Sequence, residues 1–200
     1  MNAKQIGLII TFAAIAIALN AIKIPALFWP GNFFTLSEIP VVIAFILFGV
    51  RIGILVGFFN LLGQLLFFLI SPVYLVAYPI GFVATLLMLF GVYLGSKFMG
   101  RKEQSIEIGW KRSTLILTVF AFLFRGLIMP LIDFQIFYRT LIPIFTGNTI
   151  PLSYVVGLLP VFFLFNSISA FYTVLIAYTV SRKVGKFMKL ELALFKTSEK

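Results

Sequence analysis

Apolar runs long enough to cross a lipid bilayer follow one another through nearly the whole 200-residue chain. Hydrophobic residues make up 62% of the sequence and charged residues only 11%, whereas a soluble domain is about 45–50% apolar and about 25% charged. A chain with so few polar residues cannot cover its apolar surface in water. We therefore predict an all-α integral membrane protein that crosses the bilayer several times.

Six segments fit as transmembrane helices of a single domain that covers residues 1–200. Most of them have roughly the 20 residues that a bilayer requires, and Pro, Gly or charged residues separate them. The predicted helices cover residues 5–24, 38–50, 52–70, 73–98, 111–130 and 160–182. The segment between the first two is predicted to be a loop. Pro160 is expected to open the last helix, where its missing N–H does no harm.

The basic residues are distributed unevenly between the two sides of the membrane. Six crossings put both termini on one side, and thirteen of the sixteen basic residues fall on that side; the exceptions are Lys23, Arg125 and Arg139. Because cytoplasmic loops carry an excess of Lys and Arg, we expect both termini in the cytoplasm of a cell-membrane protein. This topology accounts for the net charge of +10, so no nucleic-acid partner is expected.

Residues 34–68 combine two crossings with a polar stripe. In the second of these crossings, Gly53, Gly57, Asn60 and Gln64 are spaced by four, three and four residues and share one face of a helix. A face of small and amide residues is unfavourable against lipid. It is therefore predicted to face other helices or a molecule bound between them.

Several other polar side chains are predicted at a similar depth. At about 1.5 Å per residue, four of them lie roughly 6–9 Å below the outer surface, and two lie nearer the rim. The four are Asn20, Gln64, Arg125 and Asn166, and the two are Glu38 and Tyr78. With Asn60, these residues predict a substrate-binding cup that opens to the outside.

Each candidate also has an interpretation without a ligand. Arg125 either snorkels to the membrane surface or pairs with Glu38, Asp133 or a bound anion. Asn60, Gln64 and Asn166 are also typical of hydrogen bonds between helices. Tyr78 is typical of an interfacial anchor.

An enzyme is not expected. The chain has no His and no Cys, which removes the usual bases, nucleophiles and zinc ligands. Glu38 and Asp133 are the only acids on the predicted outer side, and nothing in the sequence places them together. We therefore predict no catalytic residue, no metal site and no cofactor. No phosphate-binding loop motif occurs, so any ATP hydrolysis is expected on other subunits.

Two passages resemble a known family. The stretches FTLSEIPVVIAFILFGVRIG and GLLPVFFLFNSISAF are similar to the substrate-binding S components of energy-coupling factor (ECF) transporters, small six-helix subunits that capture vitamins. The riboflavin-type branch is the most similar. Members of that branch commonly carry a Lys shortly after the Phe-Asn pair, whereas this chain has Ser167 and Ser169, which leaves the identity of the vitamin open.

The resemblance implies partners. S components dock their first helix against a transmembrane coupling subunit through an Ala-x-x-x-Ala pattern, which Ala14 and Ala18 match, and two ATPase subunits complete the complex. It implies a non-enzymatic subunit that captures a vitamin, with riboflavin as the first candidate. Two alternatives remain: a transporter that works alone, and a membrane scaffold or assembly protein without a ligand.

Overall fold

The computed structural model describes residues 2–28, 32–68, 74–99, 110–141, 143–144, 147, 151–188 and 192–195. The helices are α1 (Ala3–Leu19), α2 (Glu38–Phe48), α3 (Val50–Phe67), α4 (Tyr74–Phe98), α5 (Trp110–Phe122), α6 (Ile128–Ile132) and α7 (Leu152–Met188). Two strands, β1 (Lys23–Pro25) and β2 (Phe33–Thr35), lie between α1 and α2. Two π-helical segments, Leu123–Leu127 and Asp133–Leu141, flank α6, and a short 3-10 helix covers Ala193–Phe195.

Four helical segments are long and apolar enough to cross a membrane. They are Val50–Phe67, Tyr74–Phe98, Lys111–Ile136 and Leu152–Met188. The helices α1 and α2 are also apolar but have only 17 and 11 residues, which corresponds to about 26 Å and about 17 Å. The four long helices confirm the expectation of a helical membrane protein that crosses the bilayer several times.

Helix α2 lies at the centre of the bundle. Eight of its eleven residues are buried, and it packs against α1, α3 and α7. A short helix that is apolar on every side is stable only when other helices surround it. Gly49, which joins α2 to α3, has a φ of +97°, a conformation that favours Gly and allows α3 to begin at the next residue.

Strands β1 and β2 form an antiparallel hairpin where a loop was predicted. Lys23 pairs with Thr35, and Pro25 pairs with Phe33. The hairpin is attached to α7, because Tyr172 Oη donates a hydrogen bond of 2.7 Å to the Thr35 carbonyl. This attachment places the hairpin over one end of the bundle.

Three predicted helix boundaries are wrong. The first helix ends at Leu19 rather than residue 24, because β1 begins at Lys23. The last helix begins at Leu152 rather than residue 160. Pro160 lies inside it, a position that membrane helices tolerate when neighbouring groups satisfy the freed carbonyl. The fifth segment continues beyond Pro130 as helix to Leu141.

Candidate functional site

A cavity of about 370 Å³ lies among α1, α3, α4, the start of α2 and the hairpin. Five of the seven predicted substrate-binding residues line it: Asn20, Glu38, Asn60, Gln64 and Tyr78. Its volume is within the usual range for small-molecule sites, about 300–1,000 Å³. The predicted depth pattern therefore corresponds to a real concavity in the bundle.

The amide wall of the cavity comes from α3. Gly57, Asn60 and Gln64 all line the cavity, whereas Gly53, the fourth member of the predicted stripe, packs against Phe45 of α2. Asn60 is only 6% exposed, and its Oδ1 has no hydrogen-bond partner among the described residues. A buried amide oxygen without a donor is costly, so Asn60 is suited to accept a hydrogen bond from a bound molecule.

A second unpaired amide comes from the end of α1. Asn20 is 3% exposed; its Oδ1 accepts a hydrogen bond of 3.3 Å from Lys23 Nζ, while its Nδ2 has no partner in the described part of the chain. Lys23 also lies 5.5 Å from the centre of the Phe68 ring, and burial lowers the pKa of its ammonium. Asn20 thus has an unused donor, buried beside the only cation that lines the cavity among the described residues.

An aromatic wall comes from the start of α4. The rings of Tyr74 and Tyr78 stack with centroids 5.2 Å apart and an interplanar angle of 21°. Tyr78 Oη donates a hydrogen bond of 2.8 Å to the Phe68 carbonyl, which fixes the ring. Parallel rings beside amide groups are suited to hold a flat, partly polar ligand.

The acidic group of the cavity is Glu38, the first residue of α2. Its Oε1 accepts a hydrogen bond of 2.8 Å from Thr85 Oγ1, and its Oε2 accepts one of 2.5 Å from Arg125 Nη1. The Glu38 side chain is 13% exposed and that of Arg125 is 6% exposed. An ion pair this well buried orients the carboxylate toward the cavity and holds it in place.

Arg125 and Asn166 do not line the cavity but lie behind Glu38. Arg125 Nε donates to Asn166 Oδ1 at 3.3 Å, and Asn166 Nδ2 donates to Asp133 Oδ2 at 3.3 Å. The network therefore joins α2, the fifth helical segment and α7. The interpretation that Arg125 snorkels to the surface is wrong, because its guanidinium is buried and paired.

Two π-helical segments position this network. Arg125 lies in the first, Leu123–Leu127, and Asp133 begins the second. Pro130, between them in α6, has no N–H for the helical ladder. A π turn adds a residue to a helical turn and so rotates the side chains that follow, and such turns occur frequently at functional sites.

Some cavity residues were not predicted, Thr85 among them. On α4, Tyr74, Tyr78, Gly81 and Thr85 all line the cavity, and their spacing of four, three and four residues equals that of the stripe on α3. This repeated spacing is visible in the sequence and could have identified Thr85. Within the described residues, no group of three or more Asp, Glu, His or Cys side chains could hold a metal ion.

Comparison with known proteins identifies the fold. The sequence matches no protein-family model and no curated protein. One solved structure with a similar fold is the S component of a bacterial ECF transporter, with a TM-score of 0.69 and 22% sequence identity. The similarity covers 93% of this chain and 98% of that one. This chain therefore has the fold of that S component.

The buried ion pair leads to a stability prediction. Replacing Arg125 with Ala leaves the largely buried Glu38 carboxylate, which is 13% exposed, without its cation. Loss of one partner from a buried pair costs about 3–5 kcal/mol, so the Arg125→Ala variant should unfold at a markedly lower temperature in detergent. Adding Glu38→Gln should recover part of the loss.

Lys111→Ala is the matched control, because Lys111 is an exposed cation on the same helical segment. Its unfolding temperature should equal that of the wild type. An Arg125→Ala protein as stable as this control would contradict the structural role of the ion pair.

Proposed function

We propose that this protein is the substrate-capture subunit of an ECF-type vitamin importer and is not an enzyme. The observation that carries the proposal is the cavity with two buried, unpaired amide groups, Asn20 Nδ2 and Asn60 Oδ1. Unsatisfied polar groups inside a membrane bundle are costly. A ligand that supplies an acceptor to Asn20 and a donor to Asn60 removes that cost. The S-component fold supports the same function.

The proposed orientation follows the distribution of charge. With six crossings and both termini in the cytoplasm, the cavity opens to the outside, because Asn20, the hairpin and the start of α2 lie at the outer end of the bundle. In this arrangement the cavity receives its ligand from outside the cell. Glu38, Asn60, Gln64 and Tyr78 then contact the ligand directly.

Arg125 and Asn166 act on the ligand indirectly in this proposal. Arg125 holds the Glu38 carboxylate in place at the cavity wall, and Asn166 connects Arg125 to Asp133. Both are therefore positioning residues. Their removal alters the ligand site through Glu38 rather than through a lost contact to the ligand.

The chemistry of the lining favours a flat, nearly neutral ligand. Amides, stacked tyrosines, one carboxylate and one ammonium line the cavity, which suits a heteroaromatic molecule with several donors and acceptors. A vitamin with several negative charges, such as folate, fits less well, because Lys23 is the only cation among the described lining residues. Riboflavin is our first candidate.

The partners in this proposal are a transmembrane coupling subunit and two ATPase subunits. Ala14 and Ala18 lie one turn apart on α1, and both are exposed on the outside of the bundle. Two small exposed residues at this spacing allow a partner helix to approach closely in lipid. Neither residue lines the cavity, so docking and ligand binding use separate surfaces.

Filling the cavity provides the test of ligand binding. Gly81 lines the cavity, and a Cβ atom added there meets nothing within 4 Å, so Gly81→Leu should fold normally and occupy ligand space. Riboflavin added to the wild type should lose fluorescence by stacking near Tyr74 and Tyr78, with at least about tenfold weaker binding by Gly81→Leu.

The control is Gly157→Leu, which makes the same change at an exposed glycine of α7 that also has no neighbour within 4 Å. It should bind as the wild type does. Absence of quenching by the wild type at micromolar riboflavin would exclude riboflavin. Equal binding by all three proteins would exclude this cavity as the site.

Docking and binding should be separable by mutation. In cells that contain the coupling and ATPase subunits, Ala14→Leu or Ala18→Leu should abolish uptake, because the added bulk keeps the partner helix away. The isolated variants should keep their ligand affinity within about twofold. Normal uptake by both variants, or loss of binding by the isolated proteins, would refute the proposed docking surface.

A further inference from the structure

A second cavity, of about 530 Å³, lies between α3 and α4 at the other end of the bundle. We call it the α3–α4 groove. Phe45 of α2 contributes to it, Val50 and Ile54 contribute from α3, and the rest of the lining comes from α4 between Val83 and Tyr93. It shares no lining residue with the polar cavity, so it needs an explanation of its own.

The groove opens to the surroundings of the protein. Val50, Ile54, Val83 and Phe90 are 37–49% exposed, and Tyr93 carries the only polar side-chain atom of the lining. Along α4 the groove extends over eleven residues, from Val83 to Tyr93, and the ten steps between them span about 15 Å. This length is half of the hydrocarbon thickness of about 30 Å. The groove thus matches the depth of one membrane leaflet.

Two cations lie at one end of the groove. Arg51 is exposed and precedes Ile54 by three residues, so both share one face of α3. Lys97 lies in the last turn of α4, with its Nζ 5.5 Å from the centre of the Tyr93 ring. Neither cation has a carboxylate partner among the described residues. The apolar groove therefore ends beside two exposed cations on two different helices.

We propose that the α3–α4 groove binds an anionic phospholipid. One acyl chain lies in the groove along α4, and the phosphate of the head group contacts Arg51 and Lys97. In the orientation proposed above, this lipid belongs to the cytoplasmic leaflet, where anionic lipids attract basic residues near the membrane surface. The inference depends on the geometry of the groove and its cations, and it holds for any function of the polar cavity.

The two parts of this site have different tasks. Every lipid has acyl chains, and exchanging one chain for another in the groove gains no hydrophobic free energy. The groove therefore holds a chain in place without selecting the lipid. Selectivity comes from the cations, each of which favours an anionic head group by roughly fivefold, or about thirtyfold for both together.

Native mass spectrometry of the full chain released from detergent micelles tests the proposal. The probes are phosphatidylglycerol and phosphatidylcholine with identical acyl chains, added at equal concentrations. The wild type should retain one phosphatidylglycerol in preference to phosphatidylcholine. The double variant Arg51→Gln, Lys97→Gln should lose about thirtyfold of this preference. Ile54→Trp fills the groove, keeps both cations, and should lose the bound lipid.

The matched control removes two other cations from the same end of the bundle. Lys183 and Lys186 are exposed on the last turns of α7, and Lys183→Gln, Lys186→Gln changes the net charge by the same amount. This control should keep the preference, and all variants should elute and unfold like the wild type. Equal retention of the two lipids by the wild type would overturn the proposal. Equal losses of the lipid preference in the two double variants would also overturn it. So would a dimer of the wild type that Ile54→Trp disrupts.

Discussion

The ion pair between Glu38 and Arg125 joins the central helix α2 to the helical segment that carries Arg125. A charged side chain within a membrane bundle is tolerated only when a partner compensates for its lost hydration. Here Arg125 reaches from a π-helical turn to the first residue of α2, the most buried helix, and through Asn166 to Asp133. Arg125 thereby holds the Glu38 carboxylate in place, while Glu38 still lines the polar cavity.

Polar and apolar features separate along the bundle axis. The amides, tyrosines and Glu38 lie at the end covered by the hairpin, whereas the α3–α4 groove lies at the end with the α2–α3 turn. Leu192 and Leu194, after α7, are buried in the same core as α2 and close that second end. A bundle with a polar cavity at one end and an apolar groove at the other offers polar groups to a bound molecule at one end only.

Much of this arrangement is predictable from periodicity. The spacing of Gly57, Asn60 and Gln64 identifies the face of α3 that lines the cavity. Asn20 lines the cavity too, but it follows the end of α1 at Leu19 instead of lying four residues inside the helix. Depth alone, however, does not say which way a side chain points. Arg125, in the π turn Leu123–Leu127, and Asn166, on α7, lie behind Glu38 and not in the cavity wall.

The errors have physical causes too. Pro160 and Pro130 both resemble helix ends in a sequence, since a proline lacks the N–H of the ladder. In a bundle, neighbouring helices and π turns accommodate the missing hydrogen bond, so both helices continue. The hairpin was missed because its strands have only three residues each, too few to establish an alternating pattern.

The central claim is that the polar cavity binds a small molecule, and native mass spectrometry without added ligand tests it most directly. Protein purified from its own cells should carry one additional small-molecule mass per chain. The Asn60→Leu variant, which has the same number of side-chain heavy atoms but no amide, should lack it. A wild-type protein that carries no such mass, even after incubation with a small-molecule extract of those cells, would contradict the account.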